Sequence, residues 1–139
     1  MLEVPSVQAI VCNYSDIDDR RRSEFAAAEL AALVRNSEYS IFSKAPDGTI
    51  LTWNRGAEGM FGYAEDEIIG QSIWKLVPLD REDEERRMRA AVLVGGTVAE
   101  QHTERIHRDG SRVPILLHLE PVLDSAGRVR SITHISRRA

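Results

Sequence analysis

Asp47-Gly48-Thr49-Ile50-Leu51-Thr52-Trp53-Asn54-Arg55-Gly56-Ala57-Glu58-Gly59-Met60-Phe61-Gly62-Tyr63-Ala64-Glu65-Asp66-Glu67-Ile68-Ile69-Gly70-Gln71 is the stretch whose reading decides the fold. Asp47-Gly48 is a tight-turn pair, because glycine supplies the positive φ that such turns need. Thr49 to Trp53 is β-branched and aromatic and predicts a strand. Asn54 stands where a helix N-cap belongs, with a side-chain oxygen able to hold a free backbone amide. Met60-Phe61 is an apolar knob, Gly62 a helix stop, and Glu65 to Ile69 a second short helix ended by Gly70.

Outward from that stretch, Tyr39 to Ala45 reads as a strand that closes a hairpin through Asp47-Gly48. Downstream, Ile73 to Leu76 is a short helical turn before Pro78. Asp80 to Leu93 is a longer helix with Asp80 as its N-cap, an inward face of Met88, Ala91 and Val92, and a Gly95-Gly96 stop. The five acidic residues between Asp80 and Glu85 suit a helix start, where negative charge complements the dipole, and read as a solvated face. Three strands follow, Val98 to His107, Arg112 to Leu123 and Arg128 to Ser136, turned at Asp109-Gly110 and Asp124 to Gly127. Upstream, Asp18 to Arg35 predicts an Ala-rich helix with Ala26, Leu30, Leu33 and Val34 on one face. That stripe is too short for a free coiled coil, so it should pack on something.

The quoted stretch, with its order Asp-Gly-x-Ile-x-x-Trp-Asn-x-x-Ala-Glu-x-x-Phe-Gly-Tyr, resembles the first half of a PAS sensor domain. The likeness continues through Ile69-Gly70-Gln71, Val77-Pro78, Arg108-Asp109-Gly110-Ser111, Pro121-Val122 and Asp124 to Gly127, and spans Leu33 to Arg137. One departure is Ala64, where the family often places Ser or Thr as a cap; its loss typically costs about 1 kcal/mol. The resemblance implies an α+β PAS fold, with a five-stranded antiparallel sheet, short helices on one face and an amino-terminal flanking helix. It divides the chain into residues 1–17, a flanking helix over 18–36, and a PAS domain over 37–137. Val7 to Asp16 can be laid on Val129 to Arg138 without gaps, with Ile10 on Ile132. Residues 1–17 therefore read either as the last strand and exit of an upstream PAS domain or as an amino-terminal extension.

Composition narrows the function classes. A net charge of −4 disfavours direct nucleic-acid binding. One cysteine, Cys12, cannot form an internal disulfide and fits a reducing, cytoplasmic setting. No apolar run approaches the ~20 residues of a membrane span, so no membrane contact by this segment is expected. No phosphate loop, nucleophile elbow or Cys/His pairing is visible, which predicts a module without catalysis of its own.

Val113, Ile115, Leu117 and Leu119 alternate onto one strand face, which should look into the core. The opposite face carries Arg112, Leu116, His118 and Glu120; Leu116 there calls for a cover, and the amino-terminal helix is the candidate. With a two-residue Asp109-Gly110 turn, His102 pairs with Leu117. With a four-residue loop over Asp124 to Gly127, His134 pairs with Leu117 from the other side. Both histidines then face inward but lie two strands, about 10 Å, apart, too far to share one metal ion. No metal site is expected. Trp53, Met60, Phe61, Trp74, Met88, His102, Leu117, Leu119 and His134 are the candidates to line a ligand cavity, against the alternative that both histidines are buried and satisfied or lie at the rim. A one-residue register shift would turn them outward.

For cofactors, light-sensing flavin members of the resembled family carry a reactive cysteine beside the helix here spanning Ile73 to Leu76, and this chain has none there. Many haem-binding members place a histidine on the long helix, which here has none. Met88 reads as core, and Trp53 and Trp74 serve stacking or packing equally. The expectation is no cofactor, or an unidentified small molecule, with haem and flavin disfavoured. Function follows as a sensory and dimerisation module of a larger bacterial signalling protein, foremost a sensor histidine kinase. Phe25, Leu30 and Leu33 form the homodimer contact, and an effector domain of the same polypeptide is the output partner. The alternatives are a haem- or flavin-binding redox or light sensor, and a ligand-free interaction domain of a diguanylate cyclase or transcription regulator.

Overall fold

The computed structural model describes the backbone of residues 16–139 and side-chain surroundings from residue 23. The strand reading of Val7 to Ser15 lies outside the described residues. The chain separates into two compact units, up to Leu33 and from Val34 to Ala139. The first contains most of helix α1 (Asp16–Arg35).

The second unit runs β1 (Ser40–Lys44), β2 (Ile50–Trp53), α2 (Arg55–Phe61), α3 (Glu65–Ile68), two 3₁₀ turns (Ile73–Leu76 and Leu79–Arg81), α4 (Glu82–Leu93), β3 (Val98–Ile106), β4 (Arg112–Leu123) and β5 (Val129–Arg138). The five strands form one sheet in the order β2-β1-β5-β4-β3, every neighbouring pair antiparallel. Its last strand is thus its centre, and closing it joins the two hairpins that flank it. The α+β reading is borne out. Apolar residues of the helices (Ala57, Met60, Phe61, Ile68, Met88, Val92) and of the sheet (Phe42, Ile50, Val113, Ile115, Leu117, Leu119, Ile132) form one buried cluster.

All three hairpins close with the same three-residue loop. Ala45 and Thr49 flank Pro46-Asp47-Gly48; His107 and Ser111 flank Arg108-Asp109-Gly110; Asp124 and Arg128 flank Ser125-Ala126-Gly127. Each loop has the same two hydrogen bonds, for example Gly110 N–H to His107 O at 2.8 Å and His107 N–H to Ser111 O at 2.8 Å. Gly48, Gly110 and Gly127 hold φ of 97°, 90° and 82°, the left-handed step that converts a type I turn into a hairpin. These loops replace the two- and four-residue turns expected from sequence, and with them the strand register.

Between β3 and β4 the change is one residue. His102 pairs with Leu116 and Gln101 with Leu117, and His102 is exposed. Between β4 and β5 the three-residue loop contributes one step and a bulge at Val122/Leu123 a second, so that His134 pairs with Leu119. A shift of one residue reverses the faces of a strand, and a shift of two restores them. His134 therefore stays in the core while His102 leaves it.

Caps are also only partly as read. Asn54 does cap α2, accepting from Ala57 N–H. Asp80 does not cap α4, which begins after a 3₁₀ turn with Arg81 at the cap position; its carboxylate instead pairs with Arg112. Ala64 leaves α3 without a side-chain cap, but the Glu67 carboxylate reaches back to Ala64 N–H at 2.8 Å.

Candidate functional site

On the inner face of the sheet, strand alternation places Ser40, Phe42 and Lys44 of β1 beside Ser136, His134 and Ile132 of β5, pair by pair. β4 adds Val113 to Leu119 at every second position, and β3 adds Thr103 and Arg105; all of these are buried. Trp53, Met60, Phe61, Met88, Leu117, Leu119 and His134 are brought together in or against this core. Trp74 is only half-buried, with the Arg86 guanidinium 5.2 Å above its ring, so it packs on the rim. Leu116, on the outer face, is half-buried.

Sequence reading missed the charged residues of this face. Glu85, Lys44 and Arg105 are almost wholly enclosed, at 0%, 0% and 2% exposure. Lys44 Nζ donates to Glu85 Oε2 at 2.5 Å, and Arg105 Nη2 donates to Glu85 Oε1 at 2.9 Å. Arg105 Nη1 also donates to Thr103 Oγ1 at 3.3 Å, and that hydroxyl donates onward to Glu84. The Arg81 guanidinium bridges Glu84 at 3.6 Å and Glu104 at 3.7 Å. Arg112 then joins Glu104 to Asp80, both at 2.9 Å. From buried Lys44 to exposed Asp80 cations and carboxylates alternate, with the Thr103 hydroxyl as the one neutral link, between Arg105 and Glu84. The acidic run is thus not a wholly solvated face. On a helix, Glu85, Met88 and Val92 share one side, and all three are buried.

The electrostatics follow from that enclosure. Burial pulls the Lys44 ammonium below its usual range, and the Glu85 charge and hydrogen bond oppose it. Arg105 is lowered by burial in the same way, opposed by Glu85 and Glu84. At the exposed end, the Arg112 hydrogen bond holds the Asp80 carboxyl below the usual carboxylate range. An ion pair of this kind contributes little net stability, because desolvation offsets attraction, but removing one partner is costly. What the ladder provides is a fixed link among β1, α4, β3 and β4.

His134 lies against this ladder. Its ring stacks on Phe42 with centroids 4.4 Å apart and planes 16° apart, and its Nε2 has no hydrogen-bond partner among the described residues. Burial, and then the positive charges of Lys44 and Arg105, push its pKa well below 6.5. The folded protein therefore holds His134 neutral where the unfolded chain would protonate it. Stability should fall as pH drops below about 6.5, by up to about 1.4 kcal/mol per unit, until the folded-state pKa is reached. Urea titrations from pH 7.5 to 5 would measure this, and His134→Phe should flatten that part of the profile relative to the parent. An unchanged slope would exclude His134 as the source.

Asn54, legible in sequence only as a cap, makes four hydrogen bonds from a buried position. Its Oδ1 accepts from Ile41 N–H and Ala57 N–H, both at 2.9 Å. Its Nδ2 donates to Val34 O at 2.7 Å and to Tyr39 O at 2.9 Å. One side chain thus holds the end of the flanking segment, the start of β1 and the start of α2.

A family model for the PAS domain matches residues 38–137. The chain belongs to the PAS domain family. Within its signalling context, it is 38% identical over 76 residues to the two-component system protein A of Emericella nidulans, a match covering 54% of this chain and 11% of that protein. The chain thus spans a small part of that relative. Among solved structures, the PAS domain of a Colwellia psychrerythraea protein superposes with a TM-score of 0.76 at 24% identity, over 82% of this chain and 97% of the other. A light-oxygen-voltage domain studied with a flavin analogue gives a TM-score of 0.68 at 17% identity, over 80% and 84%. At such identities these structures establish the shared fold. Among the described residues, no helix is long and apolar enough to cross a membrane.

Proposed function

We propose that this PAS domain is the sensory and dimerisation module of a larger cytoplasmic signalling protein of the two-component type, foremost a bacterial sensor histidine kinase. It performs no catalysis of its own and acts on an effector domain of the same polypeptide. The observation that carries the reading is α1, which leaves Phe25, Leu30 and Leu33 exposed at 71%, 62% and 66%. Burying one such side chain is worth roughly 1.5–3 kcal/mol, so a second copy of the helix is the natural cover. Signals reach the flanking helix through Asn54, which grips the carbonyl of Val34. Replacing Leu30 and Leu33 together by Glu should convert dimers to monomers in size-exclusion chromatography with light scattering. An unchanged mass would sink the dimer reading.

A second reading has the fold of the flavin-analogue-studied light-oxygen-voltage domain in its favour. Trp53, buried beside Phe42 with ring centroids 4.9 Å apart, would then stack on a bound isoalloxazine. The primary reading has no resident cofactor, since the helical turn Ile73–Leu76 and its flanks carry no cysteine. An absorption spectrum of freshly purified protein decides: a flavin or haem band selects the second reading, and a blank visible region the first.

A further inference from the structure

A cleft of about 470 Å³ opens on the second unit, away from the charge ladder, with Glu38, Tyr39, Arg55, Met60, Arg137 and Arg138 among its walls. Arg55, Arg137 and Arg138 are exposed, and among the described residues none of them has a carboxylate partner. Arg81, Arg86, Arg105, Arg108, Arg112 and Arg128 have one, while Arg35, Arg87, Arg89 and Arg130, outside the cleft, also have none among the described residues. Three unpaired guanidiniums with one carboxylate, that of Glu38, make the cleft cationic. Its inner wall is adaptable. Met60 lines the cleft, and its Sδ accepts from the buried Ser136 hydroxyl at 3.8 Å, a weak bond for a group able to make stronger ones. Ser136 pairs across strands with Ser40, whose buried Oγ has no hydrogen-bond partner among the described residues.

We propose that this cleft binds a small carboxylic acid carrying a second hydrogen-bonding group. The guanidiniums hold its carboxylate, since planar arginine matches that geometry in paired hydrogen bonds. The flexible Met60 side chain moves aside, and the second group satisfies the hydroxyls of Ser40 and Ser136. The site goes beyond the core and dimer reading above. Its walls join the segment after the flanking helix to the last two arginines of β5, so an occupant would tie both ends of the domain together.

The test is a titration of the isotope-labelled protein with malate, a hydroxydicarboxylate, followed by backbone amide shifts at constant ionic strength, with sodium chloride and acetate as comparisons. Saturable shifts centred on Tyr39, Gly56, Gly59 and Arg137 are expected. The exposed double variant Arg55→Gln/Arg138→Gln should bind malate at least about tenfold more weakly. Ser40→Ala should weaken malate while leaving any acetate response unchanged. No saturable shift, shifts equal to those of sodium chloride, shifts centred on core residues such as Phe42 and Leu119, or undiminished affinity in the double variant would each overturn the proposal.

Discussion

A Glu85→Gln protein is expected to lose about 3–5 kcal/mol of stability in urea denaturation, the cost of leaving buried charge uncompensated. Among the described residues Glu85 is the only carboxylate within ion-pair distance of Lys44, and it holds Arg105 as well. Neutralising it leaves Lys44 and Arg105 enclosed with no carboxylate in contact, Arg105 keeping Thr103, a backbone carbonyl and the more distant Glu84 charge. The matched comparison is Lys44→Met. That change leaves Glu85 paired with Arg105 and removes a charge that burial already disfavours, so its cost should be smaller, on the order of 1–2 kcal/mol. A shape-only account gives no reason for this order, because Gln is closer to Glu than Met is to Lys in hydrogen-bonding capacity. If Lys44→Met proved the more damaging change, the charge-compensation argument would fail. The functional counterpart is that both variants should loosen α4 from the sheet, seen as faster amide exchange at Met88 and Val92.

Why the sequence hid this ladder is a matter of scale. Strand alternation in β4 is written in Val113, Ile115, Leu117 and Leu119, and a period-2 apolar pattern is legible at once. On β3 the inward positions are Thr103 and Arg105, polar residues that a pattern-based reading turns outward. The same holds for Lys44, which ends a short strand next to a turn, and for Glu85, which hides in a run of acids ordinary for a helix start. Each is unremarkable alone, and only the fold brings β1, α4 and β3 into one contact. An acidic run followed by Met88 and Val92 at three- and seven-residue spacing from Glu85 was the available signal.

Register shows the opposite kind of difficulty. The turn residues were visible, but the same Asp-Gly pair serves two- and three-residue loops, which differ by one residue in pairing. That single step expels His102 from the inner face. On the neighbouring hairpin the loop step and the Val122/Leu123 bulge add to two, and His134 remains inside without a four-residue turn. The bulge has no side-chain signature here, so the sequence places His134 on the right face but opposite Leu117 instead of Leu119. For α1 the apolar positions were legible, and their exposure in a single chain is what makes the proposed dimer testable.

Replacing Asn54 by Ala should be nearly as damaging as removing Glu85, by about 3–4 kcal/mol if each lost hydrogen bond contributes about 1 kcal/mol. Two donors, Ile41 N–H and Ala57 N–H, and two acceptors, Val34 O and Tyr39 O, lose the Asn54 bond together, and Val34 O keeps only the longer bond from Ser37 N–H at 3.3 Å. The graded variants separate the roles. Asn54→Ser keeps a side-chain oxygen for the α2 cap and should recover about 1 kcal/mol, but its side chain is too short to span the remaining contacts. Asn54→Asp keeps both accepted bonds and sets a negative charge against two carbonyl oxygens, so it should hold α2 while releasing the segment from Val34 to Tyr39. Amide exchange reads the difference: protection at Ala57 should survive in Asp and Ser variants, while Tyr39 and Ile41 should open in the Ser variant. A Ser variant as stable as the parent would reduce Asn54 to a helix cap. It would also remove the one side-chain tie by which the flanking segment is proposed to feel the sheet.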